Sequence, residues 1–334
     1  MIPEDIIGKA PTFMEVLMKV NDPRDNRGKR HELAFVLACV IVAILSGKSR
    51  MSSIHRFIQH KIKWLQEIFV RPNATAVSRA QLPNIVAAVA WDELNAGFEQ
   101  FFPFQIVNDV GEWTACDGKS LKGTITDPTQ AQKHERIVTA VTHTSHEVLC
   151  QRRFSGEKTS EVTVVREMLD ATGLVGGKVS LDAGHAYPDT LEPIHQADGL
   201  YVVQIKQNQP QLFEALAQIA EQAEQAEQKE STELTGSVSS GVEIATVEKG
   251  HGRVEERIGR ILSLNRGDLA ERWEPTGMQT VIVMDRMTEE LKTGNVSAER
   301  SYYVSNQPPL GHEQELFDAI RGHWRIESTH YIRD

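Results

Sequence analysis

The sequence predicts an α/β protein in which a small all-α N-terminal domain precedes a mixed sheet flanked by helices. Three observations carry this. The chain has 334 residues, 40% hydrophobic and 25% charged; the composition excludes a disordered chain or a disulfide miniprotein, and the length allows two domains at roughly 150 residues each. The first third holds an apolar run followed by an amphipathic stretch of helical period. From 113 to 205 the pattern alternates as β-β-β-α-β-α-β with an antiparallel start.

In order, LAFVLACVIVAIL at Leu33–Leu45 predicts a buried helix. Its 13 residues are too few to span a bilayer. It starts too far into the chain for a signal peptide, and Ser46-Gly47-Lys48 is no A-x-A cleavage site. Residues 51–69 place Ile54, Phe57, Ile58, Ile62, Leu65 and Ile68 at helical spacing, with Ser52 or Ser53 as cap. Strands follow at 113–116, 136–142 and 148–154, the last two as a hairpin turning at 143–147. A helix at 161–171, a strand at 178–181, a helix at 190–197 and a buried strand at 200–205 complete the alternation. An Ala/Gln/Glu-rich surface helix ends near Ser231, strands are expected at 242–247, 254–264, 280–284 and 302–304, and a last helix starts near His312.

Cys39, Cys116 and Cys150 form no CxxC pair, which disfavours a zinc ribbon or a disulfide framework and suits buried thiols in a reducing, cytoplasmic setting. The net charge of −10 argues by itself against a nucleic-acid partner. The charge is uneven, however. Residues 20–82 carry eleven Lys and Arg against four acids, whereas 214–233 carries six Glu and one Lys. The basic segment reads either as a solvated face or as a DNA-contacting one.

Asp117, in ACDGKSLKG, is expected just past the end of one strand, and Asp182, in VSLDAGHAY, just past another. Carboxylates so placed sit on rigid elements and face a cleft, although an Asp after a strand is commonly only a turn residue. Glu327, in AIRGHWRIESTHY, shares a helical stripe with Ile320, His323, Trp324 and Tyr331. An acid on such a stripe needs compensation from a metal ion or from a cationic partner, for which His323 stands one turn back. Arg321 and Arg325 point away. His143-x2-His146 lacks the helical HExxH context of a zinc hydrolase.

Taken together, DPRDNRGKRHELAFVLACVIVAILSG, ACDGKSLKG, EKTSEVTVVREML, VSLDAGHAY, GLYVVQIKQNQPQL, EKGHGRVEERIGRI, RSYYVSNQ and IRGHWRIESTHYIRD resemble, in this order, insertion-sequence transposases of the H-repeat-associated type in the DDE (Asp-Asp-Glu) superfamily. The resemblance implies an RNase H-like catalytic core at 106–334 with a β-rich insertion at about 231–300, preceded by a helical, DNA-contacting transposase-associated domain at 1–105. It implies that Asp117, Asp182 and Glu327 are the catalytic, metal-binding triad for two Mg²⁺ or Mn²⁺ ions. The activity implied is cleavage at element ends and strand transfer into target DNA. Lys119, Lys206, Asn208, Arg253, Arg257, Arg321 and Arg325 are the candidate DNA contacts; Lys206 and Asn208 read equally as a strand-end turn, and His251, Arg253 and Arg257 as an exposed strand. The partners implied are the inverted repeats and target duplex, with at least a homodimer on DNA and no membrane. A related group carries Tyr-x2-Arg-x3-Glu-x6-Lys, for which this chain has Ile320, His323, Glu327 and Asp334, so those basic contacts do not carry over. The end at Asp334 is early for the family and predicts reduced or absent activity. The alternatives are an inactive DNA-binding remnant and an RNase H-like nuclease of another role.

Overall fold

A computed structural model describes residues 12–101, 111–121, 135–155, 160–230, 241–250, 252–265, 267–324 and 326. The chain divides into two compact units, Met1–Gln105 and Ile106–Asp334.

The first unit is helical: α1 Phe13–Met18, α2 Leu33–Leu45, α3 Met51–Ile68, α4 Gln81–Ala88 and α5 Trp91–Phe101. The apolar run forms α2, buried continuously from Leu33 to Val40 and again at Ala43. A helix apolar all round needs neighbours all round, and α2 is the centre of this unit's core, packed with Leu17, Ile54, Ile58, Leu65 and Leu82. Neither Ser52 nor Ser53 caps α3. Arg50 takes that position with no side-chain cap, and the Ser53 hydroxyl donates to the Arg50 carbonyl at 2.7 Å. The outer face of α3 exposes Arg56, Lys61 and Lys63. Among the described residues no helix is long and apolar enough to cross a membrane.

The second unit is built on a nine-stranded sheet in the order β3-β2-β1-β4-β5-β9-β8-β7-β6. The strands are β1 Trp113–Ser120, β2 Glu135–Thr142, β3 Val148–Ser155, β4 Lys178–Leu181, β5 Leu200–Ile205, β6 Gly241–Gly250, β7 Arg253–Ser263, β8 Thr280–Glu290 and β9 Val296–Ser305. The helices are α6 Glu161–Thr172, α7 Pro188–Gln196, α8 Pro210–Glu230 and α9 Glu313–His323. The hairpin β2–β3 is antiparallel, β1–β4–β5 run parallel, and β9 returns antiparallel to β5. The stretch read as a β-rich insertion is therefore continuous with the main sheet, because β9 hydrogen-bonds directly to β5.

Side chains alternate across the sheet. One face buries Cys116, Val138, Val179, Leu181 and Val203 against Val165, Met168 and Leu169 of α6, Leu191 and Ile194 of α7, and Leu212 and Leu216 of α8. The other buries Trp113, Val202, Ile282 and Tyr303 against Leu316, Phe317 and Ile320 of α9. The acidic helix α8 is less solvated than its composition suggests: Glu224 meets Arg260 at 2.7 Å and Arg300 at 2.9 Å on the long strands.

Candidate active site at the fork between β1 and β4

The first acid does not stand past a strand end. Asp117 lies inside β1, opposite Thr139 of β2, because the β1–β2 ladder runs on to Ser120↔Arg136. The parallel ladder to β4, by contrast, ends at Cys116↔Leu181. Asp117-Gly118, a strand stop by sequence pattern, is instead the point where β4 leaves β1. Asp182 is the first residue after β4, next in register to Asp117. Period-two alternation puts both on the face where Ser180 meets α9.

Asp182 caps the 3-10 turn Ala183–His185, its Oδ1 accepting from the Gly184 N–H at 2.9 Å. The turn is braced from the KQNQ segment after β5. The Asn208 amide donates to the Ala183 carbonyl at 2.6 Å and the Gln209 amide to the Ala186 carbonyl at 2.9 Å. Asn208 thus holds the Asp182 turn, while Lys206 beside it is exposed. The Asp117 carboxyl is pushed up to about 6, first by burial and next by the negative charge of Asp182; the Gly118 backbone hydrogen bond opposes this, and Glu161 adds to it. Asp182 and Glu161 thus set negative charge beside the Asp117 carboxyl. Hard oxygen donors of this kind fit Mg²⁺ or Mn²⁺. Among the described residues no group of three or more His, Cys, Asp or Glu side chains is placed to hold a metal ion. Glu327 and Arg325 lie outside the described residues. Ile326 is buried against Ala115 and Val141, beside Asp117 on β1 and Thr139 on β2.

Two residues at the fork were not singled out from sequence. Glu161 opens α6 behind the cap Ser160, where an acid reads as an ordinary partner of the helix dipole. Its carboxyl lies over the Cα of Gly118, so closely that a Cβ there would overlap it. His185 is 1% exposed, and its Nε2 stands 3.6 Å from Glu161 Oε1 and 3.7 Å from Asp182 Oδ1. Among the described residues neither ring nitrogen has a hydrogen-bond partner. The only signals were the blocks EKTSE and DAGH, which show types of residue but not that a helix start and a turn meet.

Behind the acids, α9 is clasped to the sheet. The Ser180 hydroxyl is 2.9 Å from His143 Nε2 and 2.9 Å from His323 Nδ1. Burial pushes His323 down to about 4, with Asp182 opposing and His185 reinforcing the shift. The imidazole is therefore neutral near pH 7, because burial makes the charge too costly. The remaining cations are scattered. Arg257 pairs with Glu248 and Glu255, Arg321 with Glu248, and Arg253 with Glu255 at 2.6 Å. Lys119 is half-buried on β1.

Residues 14–102 match the family model described as DDE_Tnp_1-associated, and residues 105–274 match the model described as Transposase DDE domain. The chain is 24% identical over 330 residues to the "Putative transposase YncI" of Escherichia coli O157:H7, covering 97% of this chain and 79% of that protein. It is 23% identical over 325 residues to the "H repeat-associated putative transposase YhhI" of Escherichia coli (strain K12), covering 96% and 81%. A protein of Xanthobacter autotrophicus from the dhlA 3' region is 25% identical over 296 residues, covering 86% and 92%. With the transposase DDE model spanning more than half of its length and the associated model lying just ahead of it, the chain belongs to the DDE-domain transposases.

Proposed function

We propose that this chain cleaves phosphodiesters at the ends of an insertion element and transfers the freed 3′-OH to target DNA, with Asp117, Asp182 and Glu327 holding two Mg²⁺ or Mn²⁺ ions. The observation that supports it most is the register of the fork: the β1–β4 ladder ends one residue before Asp117 and Asp182, leaving two acids side by side. Bound divalent ions would activate the attacking oxygen and stabilise the leaving one in an in-line displacement. The chain's own part is to hold the acids. Asp117 is fixed by the β1–β2 ladder, and Asp182 by its turn, braced through Asn208 and Gln209. Water in the first step and the 3′-OH in the second occupy the same site, so one set of acids serves both.

DNA is read as the partner of both units. The exposed Arg56, Lys61 and Lys63 of α3 offer phosphate contacts in the first unit. Lys119, two residues after Asp117, and Lys206, beside the Asn208 that braces the Asp182 turn, are read as contacts near the acids, while Arg253, Arg257, Arg321 and Arg325 would track the backbone, and Asn208 would contribute through the turn it braces. Joining two ends implies at least a homodimer on DNA, in the cytoplasm. The test is a duplex carrying the element end, incubated with protein and Mg²⁺. Asp117→Asn, Asp182→Asn and Glu327→Gln should each abolish cleavage and leave DNA binding intact. Cleavage retained by any one of them removes that residue from the triad, and binding without cleavage by the parent chain favours the inactive remnant.

A further inference from the structure

The nine-stranded sheet ends on β6, which pairs with β7 on one side and with no described strand on the other. An open edge is a template for pairing with another chain, and proteins usually blunt it by shortness, by proline or by a bulge. β6 does none of these. It is ten residues long, carries no proline and follows β7 without a register shift from Gly241 to Gly250. Its Val242 and Val247 are 44% and 67% exposed. Its acids are tied back to their own chain, Glu243 to Arg260 at 3.2 Å and Glu248 to Arg257 at 3.0 Å, so bare negative charge does not guard the edge.

The order of side chains along β6 is complementary to itself. In an antiparallel pair the outward N–H and C=O groups meet only when residues of the same parity stand opposite. Of those registers, the one centred on Thr246 overlaps the whole of 242–250. It sets Glu243 of each copy opposite Lys249 of the other, Ala245 opposite Val247, and Thr246 opposite its own copy. Odd-numbered residues of β6 share the face on which Glu243 meets Arg260, so both Glu–Lys pairs lie on one side of the joined sheet. Lys249 is exposed and, among the described residues, pairs with no acid. Glu243 is exposed as well, and its carboxylate can accept a second donor. Sliding the register by two residues in either direction loses both charge pairs.

We propose that β6 is a self-association edge, to which a second copy of this chain adds its own β6 antiparallel about a two-fold axis at Thr246. The pairing uses neither the fork nor DNA, so it goes beyond the proposed cleavage and stands or falls apart from it. The test is sedimentation equilibrium of the full chain without DNA, with hydrogen exchange of 242–250 followed against protein concentration. The parent should dimerise, and amides within 242–250 should exchange more slowly as the dimer forms. Lys249→Glu sets acid against Glu243 and should weaken association about tenfold. Glu243→Lys should weaken it in the same way. An equimolar mixture of the two variants should dimerise again, because unlike-charge pairs then form only between unlike copies. The proposal is overturned by a parent that stays monomeric at its highest soluble concentration, or by a dimer whose 242–250 amides gain no protection. It is equally overturned by a dimer that Lys249→Glu leaves unchanged, or by a mixture no tighter than its components. If Glu243→Lys, which also loses the contact with Arg260, melts well below the parent, Lys249→Glu and the exchange of 242–250 decide.

Discussion

Asp117 sits where its own charge is disfavoured, and this sets a sign for pH dependence. Its folded value of about 6 lies above the ordinary 3.8, so between those values the native state binds more protons than the unfolded one. Stability of the metal-free protein from this group is therefore present at low pH and lost as pH rises toward 6, by about 3 kcal/mol at most. His323 works in the opposite sense. Its folded value of about 4 lies below the ordinary 6.5, so its contribution is full above 6.5 and is lost as pH falls toward 4. The two slopes overlap and partly cancel. Asp117→Asn should then raise metal-free stability near pH 7.5, by up to about 2 kcal/mol, and should lose stability more steeply than the parent from pH 6.5 to 4. Urea unfolding at several pH values measures both; a variant less stable at pH 7.5, or one with the parent's acid slope, would show that Asp117 is not strained. Single residues were legible unevenly. Asp117 and Asp182 stood out because each follows a strand-like run, while Glu161 looked like a helix-start acid and His185 like a turn residue. Their meeting depends on contacts that sequence spacing does not encode.

Among elements, α9 is held to the sheet by a clasp at Ser180. The Ser180 hydroxyl has a single proton, so it donates to one of His143 and His323 and accepts from the other. Ser180→Ala leaves both imidazoles short of a buried partner and should cost about 1–3 kcal/mol in chemical denaturation; an unchanged midpoint would mean that the clasp contributes nothing. Gly322 makes a sharper case. Gly→Ala inside a helix ordinarily gains roughly 0.5–1 kcal/mol, but here a Cβ would overlap the His143 ring. Gly322→Ala should therefore destabilise, and a gain in stability would refute the close seating of α9 on the hairpin end. The alternation of strands and helices from β1 to β5 was readable because each element has its own period. The length of β1 was not, since pairing with β2 carries it through Asp117-Gly118. The continuity of β6 to β9 with the sheet was not either, because it rests on the long-range pairing of Val203 with Val304.

At the level of the whole molecule, the net charge of −10 conceals a division of labour. Acids concentrate on α8, where Glu224 ties down Arg260 and Arg300, and at the fork, where they face one another. The exposed cations of α3 stand in the first unit. Duplex binding should accordingly weaken steeply as salt rises, and replacing Arg56, Lys61 and Lys63 together by Gln should lower affinity and flatten that dependence. A salt slope equal to the parent's would take α3 out of the DNA interface. Length and the change of period suggest two domains. What charge means was not legible, because a total says nothing about position.

The acids at the fork are proposed to bind divalent metal. Soaking crystals of the protein with Mn²⁺ and collecting anomalous diffraction tests it most directly. A Mn²⁺ peak between the carboxylates of Asp117 and Asp182, absent from Asp182→Asn crystals, is the predicted result. No peak at the fork under saturating Mn²⁺, or one that survives Asp182→Asn unchanged, would contradict it.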